Sequence, residues 1–340
     1  MSSMKTVAVA RQAMATRFEI VLHGEDEVSL RAAAEEALSE IERLEAQFSL
    51  YRPDSEISSI NARAAAGPVK VEPGLFRLLQ QAQRLTQETG GAFDITVAPL
   101  MRCWGFMRGN GRLPAAAAVA DARSKVGMHL VQLNEKDFTV QFAREGLMLD
   151  LGSIGKGYAL ERAAEVLANA GVVSAILHGG TSTVYALGAP PDADAWKVAI
   201  PHPDFAQEAI ALQPAHAPGR DIEANLLAVV LLNNEALSVS AVWGKAFEVD
   251  GKVYGHVIDP RRGEPVQGAL LAAVALPSAT ETDALSTALL TLGAAGHDQI
   301  ASLRPGMRTL VVGRSEQAGQ FHVTTRGIGL IADYADKSKP

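Results

Sequence analysis

Residues 17–23 alternate Phe18, Ile20 and Leu22 with more polar neighbours, the period of a half-buried strand. The spacing then changes. From 25 to 48, apolar residues fall at positions 30, 34, 37, 38, 41, 44 and 48, which predicts a long amphipathic helix. Pro53 and Ser55 mark a loop, and Leu75, Leu78, Leu79, Ala82 and Leu85 predict a second helix stopped by Gly90-Gly91. Residues 108–127 read as a loop and short helix, 128–133, 137–143 and 146–150 as strands, and 156–170 as a helix. Beyond 172, short apolar runs at 172–177, 183–187, 196–200, 226–232 and 236–240 predict strands separated by turns. Residues 282–292 predict a helix ended by Gly293, and 308–313 with 319–324 a closing hairpin.

Helices and strands interleave without a regular βαβ rhythm, so the pattern predicts an α+β fold with mixed sheets and flanking helices. Residues 1–13 read as an N-terminal tail, 14–313 as the main domain, and 314–340 as a C-terminal hairpin strand and tail. Within the domain, the Pro- and Ala-rich segment 188–222 reads as a surface insertion. The chain of 340 residues is long enough for a sizeable core. Its formal charge of −7, without any block of like charges, argues against a nucleic-acid backbone as partner. A single cysteine, Cys103, excludes an internal disulfide and paired zinc thiolates. No stretch approaches the ~20 apolar residues of a membrane span. The first 17 residues also lack the apolar core of a signal peptide. The sequence therefore reads as cytoplasmic as written, or periplasmic if a leader has been removed.

Three segments carry candidate chemistry. Asp150-Leu151-Gly152-Ser153-Ile154-Gly155-Lys156-Gly157 lies between a predicted strand and a helix, where glycines permit close backbone approach and a helix N-terminus favours an anion. It is not a P-loop, because Asp150 and Gly157 stand where that pattern needs Gly and Ser or Thr. Taken alone, such a turn is more often plain turn chemistry. In Tyr254-Gly255-His256-Val257-Ile258-Asp259-Pro260, His256 and Asp259 suit a base oriented by a carboxylate, or equally a structural His and a turn-capping Asp. Asp283 and Thr287 share a helix face, as a pair holding a hard cation would, or as first-turn capping residues.

In order along the chain come Met14-Ala15-Thr16; Phe48 to Ser58 (FSLYRPDSEIS) with Asn61; Gly91 to Pro99 (GAFDITVAP); and Trp104-Gly105-Phe106. The Asp150 to Gly157 turn, His178-Gly179-Gly180, His256 to Pro260 and Asp283 to Thr287 complete the series. From about Met14 to Gly293, this ordered set resembles the ApbE family of FAD:protein FMN transferases. The resemblance implies an ApbE-like fold of two intimately packed subdomains. It also implies Mg²⁺-dependent transfer of the FMN half of FAD to a Thr or Ser hydroxyl of an acceptor protein, with release of AMP. By the same resemblance, Met14, Tyr51, Ala92, Phe93, Asp94, Asp150, Lys156 and Val257 would line the FAD site. Asp283, Thr287 and the Ser153 carbonyl would hold the metal, and His256, with Asp259 in its turn, would be catalytic. Val239-Ser240-Ala241 stands where the family usually has T-S-G, Thr181 follows the Gly-Gly pair, Glu161 replaces a frequent Asp, and there is no lipobox cysteine. These departures bear on acceptor recognition more than on the nucleotide site. Hydrolysis of FAD to FMN and AMP, and FAD binding without turnover, remain as alternatives.

Overall fold

The computed structural model describes residues 4–109, 111–203, 225–314 and 320–331. The chain begins with the hairpin β1 (Lys5–Ala13) and β2 (Thr16–Gly24), then α1 (Glu27–Phe48), α2 (Glu56–Arg63), β3 (Val69–Lys70) and α3 (Pro73–Glu88). Next come α4 (Ala98–Cys103), α5 (Ala116–Arg123), β4 (Val131–Asn134), β5 (Thr139–Phe142) and α6 (Gly155–Asn169). Strands β6 (Ala175–Gly179), β7 (Thr183–Leu187), β8 (Trp196–Pro201), β9 (Leu226–Leu232) and β10 (Glu235–Ala241) follow. The short pairs β11 (Ala246–Val249) with β12 (Lys252–Gly255) and β13 (Ile258–Asp259) with β14 (Glu264–Pro265) precede β15 (Ala269–Leu276). The order ends with α7 (Ala279–Leu292), α8 (His297–Ala301), β16 (Arg308–Arg314) and β17 (Phe321–Arg326).

Eight strands form the central sheet in the order β1-β2-β6-β7-β10-β15-β16-β17. The α+β expectation holds, but the pairings between these strands are all antiparallel where mixed sheets were expected. Several neighbours, such as β1–β2, β6–β7 and β16–β17, are joined by short connections, and hairpin links impose opposite directions. The sheet is covered on both faces. Leu177, Ala272 and Val274 pack with Leu38, Leu160 and Leu285 of the helices, whereas Leu271, Ala273 and Ala275 pack with Ile200, Leu227 and Val230 of the β8–β9 pair. Strand β15 is buried at every position, so its ALLAAVAL run is continuously apolar rather than alternating. A third cluster, Leu100, Trp104, Phe106, Ala122 and Ile258, joins α4 and α5 to the β11–β14 region.

The expected tail 1–13 contains β1, whose Val7 and Ala13 are buried beside β2. Its small side chains give little periodic signal. Ser55, expected in a loop, is the N-cap of α2 and accepts from Ser58 N at 3.0 Å. Residues 146–150 form no strand. The Asn61 amide instead holds Leu149, accepting from its N–H at 2.7 Å and donating to its carbonyl at 3.0 Å. Within the expected insertion, 196–201 is a strand of the sheet cover, and 204–222 lie outside the described residues.

Candidate active site

Two helix starts meet beside the sheet. The first turns of α6 and α7 approach so closely that a Cβ at Gly157 would collide with the Ala279 carbonyl oxygen. Each helix supplies a carboxylate to the other's N-terminus. Asp283 Oδ2 accepts from Gly157 N at 3.0 Å, and Glu161 Oε2 accepts from Thr280 N at 2.9 Å and from the hydroxyls of Ser278 and Thr280, both at 2.8 Å. Negative charge is stabilising at a helix N-terminus, so this exchange fixes the angle between the helices. It also fixes Asp283, which is only 4% exposed.

Lys156 is the hub of the predicted residues. Its Nζ donates to Gly152 O at 3.0 Å and lies 3.8 Å from Asp283 Oδ1. Asp150 closes the same turn by accepting from Gly152 N at 2.8 Å. Burial raises the Asp150 carboxyl above its ordinary pKa, against the opposing Gly152 hydrogen bond and the Lys156 charge. Ser153 lies between them, in the turn that leads into α6. Tyr51, 63% exposed, donates from its hydroxyl to Met107 O at 3.3 Å. Partial burial, and next the Asp150 charge, raise its pKa.

Thr287 Oγ1 lies one turn along α7 from Asp283, donating to Asp283 O at 3.2 Å and standing 3.2 Å from Ser240 Oγ. Ser240 also pairs with Ser286 at 2.9 Å. Hydroxyls from β10 and α7 therefore cluster beside the main-chain carbonyl of Asp283. Among the described residues no cluster of three His, Cys, Asp or Glu could hold a metal ion. A set of one carboxylate with hydroxyl and carbonyl oxygens is hard and sparse, and it fits a cation such as Mg²⁺ that keeps water and phosphate oxygens as its remaining ligands.

His256 sits in the turn after β12. Its Nδ1 is buried without a hydrogen-bond partner, and Gly244 leaves room beside the ring, where a Cβ would lie 3.7 Å from Cε1. Burial is the main cause of a lowered imidazole pKa. A main-chain hydrogen bond with Lys245 opposes it, and the charges of Lys245 and Lys156 reinforce it.

The expected Asp259–His256 partnership is absent. Asp259 Oδ1 accepts from Arg261 N and Nε, each at 2.9 Å, and Oδ2 accepts from Nη2 at 2.8 Å, so both oxygens are taken by a planar fork two residues away. Asp94 is likewise occupied internally, by Thr96 N at 2.8 Å, Thr96 Oγ1 at 2.6 Å and Met128 N at 3.1 Å, while burial raises its pKa. Ala92 and Phe93, each 1% exposed, belong to the main core. Their segment still runs beside the 150–157 turn, because Asp150 N donates to Ile95 O at 2.7 Å. Neither Ala92 nor Phe93 exposes appreciable surface of its own. Met14 is at the tip of the first hairpin, with φ of 49° and its N–H donating to Glu45 Oε1 at 2.6 Å. Val257 is half-buried against the main core, and its carbonyl accepts from Val266 N at 2.9 Å. Lys245 and Arg261 join the candidate site without having been singled out, and Ser240 does so after being noted only within the Val239-Ser240-Ala241 departure. Their contacts bring together residues distant in sequence or depend on side-chain direction, neither of which one-dimensional spacing reveals.

The sequence profile described as the ApbE family matches residues 14–311. A protein of Haemophilus influenzae named FAD:protein FMN transferase is 29% identical over 85% of this chain and 81% of its own. A Treponema pallidum protein of the same name is 28% identical over 78% and 72%. Among solved structures, the ApbE protein of Thermotoga maritima matches in fold with a TM-score of 0.79, at 24% identity, covering 99% of this chain and all of that one. The apo flavinyl transferase ApbE of Pseudomonas stutzeri gives 0.76 at 26% identity, covering 99% and 98%. With a profile match that spans most of its length and the same architecture throughout, this chain belongs to the ApbE family.

Proposed function

We propose that this protein transfers FMN from FAD to a Thr or Ser hydroxyl of an acceptor protein, releasing AMP. The observation that carries this reading is the meeting of Asp283, Thr287 and Lys156 at the paired starts of α6 and α7. Oxygen donors beside an ammonium group support the reading, and His256, whose pKa is lowered, would add an imidazole to them. Curated relatives at about this level of identity bear the corresponding name.

In this reading the acceptor oxygen forms a bond to the phosphorus of the FMN half, and the P–O–P bridge of FAD breaks to leave AMP. Lys156 and the Asp150-held turn bind and orient the diphosphate at the start of α6. Because the imidazole pKa is lowered, His256 is neutral near pH 7 and has a lone pair with which to accept the hydroxyl proton. Asp283, Thr287 and the Ser153 carbonyl would hold Mg²⁺, which when bound balances the charge of the diphosphate and of the departing phosphate. Tyr51 and Met14, together with the main chain around Ala92 and Phe93, would contact FAD, as would Val257.

The test is incubation with FAD and Mg²⁺, with and without a Thr-bearing acceptor peptide, following AMP and covalent fluorescent flavin together. Equal amounts of AMP and flavinylated peptide support transfer. AMP and free FMN regardless of peptide would establish hydrolysis, and binding of FAD without AMP would establish a carrier.

A further inference from the structure

A base that removes a proton from an incoming hydroxyl needs a fixed direction, and here no carboxylate supplies it. His256 Nδ1 lacks a hydrogen-bond partner, and beyond its main-chain hydrogen bond with Lys245 the ring takes its place from the turn that carries it. That turn is anchored from two sides. On one side Asp259, 5% exposed, grips Arg261 through three hydrogen bonds. The stem of Arg261 then lies over Gly91, where an added Cβ would be 3.5 Å from Arg261 Cγ. On the other side Gly263 N donates to Asp259 O at 2.8 Å, and Gly263 O accepts from Trp104 Nε1 at 2.8 Å. Gly91 opens the segment whose Ile95 carbonyl holds Asp150 N, so the contact of Arg261 with Gly91 spans from the His256 turn to the proposed diphosphate turn.

We propose that Asp259 and Arg261 form a positioning pair that sets the His256 turn against the Gly91–Asp150 wall of the site, with Asp259 acting through Arg261 and not on the imidazole. The proposal rests on the reading of His256 as the base. The pair touches no reacting atom. Its influence is geometric, because the guanidinium fork fixes the distance between two loops that carry different halves of the chemistry. A displacement of about 1 Å between reacting groups can cost ~10²-fold in rate. Lysine cannot reproduce the fork, since a single ammonium lacks its planar pair of donors.

The experiment compares wild type with Arg261→Ala, Arg261→Lys, Asp259→Asn and the double variant Asp259→Asn/Arg261→Ala. It reads kcat and KM for acceptor-dependent AMP release, FAD affinity by flavin fluorescence, and the pH profile. Arg261→Ala and Asp259→Asn should each lower kcat by roughly 10–100-fold while FAD affinity stays within about threefold. The double variant should cost little more than either single change, since both break the same pair. Arg261→Lys should recover only part, and the acid limb of the Asp259→Asn profile should stay where wild type has it. An unchanged kcat in the single variants would overturn the proposal. So would a loss confined to FAD affinity, or an acid limb displaced in Asp259→Asn, which would place that carboxylate directly on the imidazole. If Arg261→Ala fails to fold, Arg261→Lys and Asp259→Asn decide by the same readings. His256→Ala in the same series separates the two ideas: full activity there would remove the base itself, whereas its loss together with unaffected Arg261 variants would remove only the pair.

Discussion

At the scale of single residues, His256 and Asp283 have opposite surroundings. Partial burial of the imidazole, reinforced by the charges of Lys245 and Lys156, lowers its pKa, so protonation comes only at more acid pH than for an ordinary histidine. The pH profile of kcat/KM, which reports the free enzyme, should therefore retain activity through the usual histidine range and fall only below it. An acid limb at or above the ordinary value would contradict the assignment. Asp283 is buried and already receives Gly157 N–H, with Lys156 close by. Asp283→Ala should abolish Mg²⁺-dependent turnover and, read independently, remove the heat of Mg²⁺ binding in calorimetry without FAD. Retained binding would move the metal elsewhere. The residue types were legible in the sequence, because His256, Lys156, Asp283 and Thr287 stand out as chemistry-bearing positions in short ordered blocks. Their partners were not. Asp259 turned from a proposed helper of His256 into the anchor of Arg261, a choice between side-chain directions that spacing cannot make.

At the scale of elements, the junction of α6 and α7 makes the proposed site, and Gly157 permits that junction. A methyl group there would meet both the Ala279 carbonyl and Asp283 Cβ, so Gly157→Ala should force the helices apart. Overpacking of this kind typically costs about 1–3 kcal/mol. The expected result is a lowered Tm together with weaker Mg²⁺ binding, because Asp283 moves with α7; unchanged values for both would show the crossing to be slack. The 150–157 turn has a different test. Lys156 and Asp150 hold Gly152 from its carbonyl and amide sides, and Lys156→Ala should weaken FAD binding while the Tm changes little. Unaltered FAD affinity would leave the turn a purely structural feature. The helices themselves were readable from periodicity and end signals: α1, α3 and α6 lie close to their expected bounds, and Gly90-Gly91 stops α3. Helix α7 begins three residues earlier than expected because Ser278 accepts from Glu281 N at 3.2 Å, a cap that lies before the apolar run. Strand β1 was missed because small side chains at a sheet edge carry little hydrophobic contrast.

At the scale of the whole molecule, one antiparallel sheet carries the helix pair on one face and the β8–β9 cover on the other. The expectation of an α+β protein followed from irregular alternation of helices and strands. Strand direction depends on connections between segments far apart in sequence, and periodicity alone does not specify it. The sheet also links the family departures to the site, since β10 bears Val239, Ser240 and Ala241, and Ser240 meets Ser286 and Thr287. Restoring the family residues by Val239→Thr with Ala241→Gly should change kcat/KM among acceptor peptides more than KM for FAD; an equal effect on both would deny this strand a role in acceptor choice. The central claim is that His256 takes the acceptor's proton in a site that binds FAD and metal without it. The most direct measurement is the single-turnover rate of AMP release from saturating FAD and Mg²⁺, with a Thr-bearing acceptor, in wild type and His256→Ala. The account predicts retained FAD and Mg²⁺ binding with a rate lower by ~10²–10⁴-fold in the variant. Equal rates would contradict it.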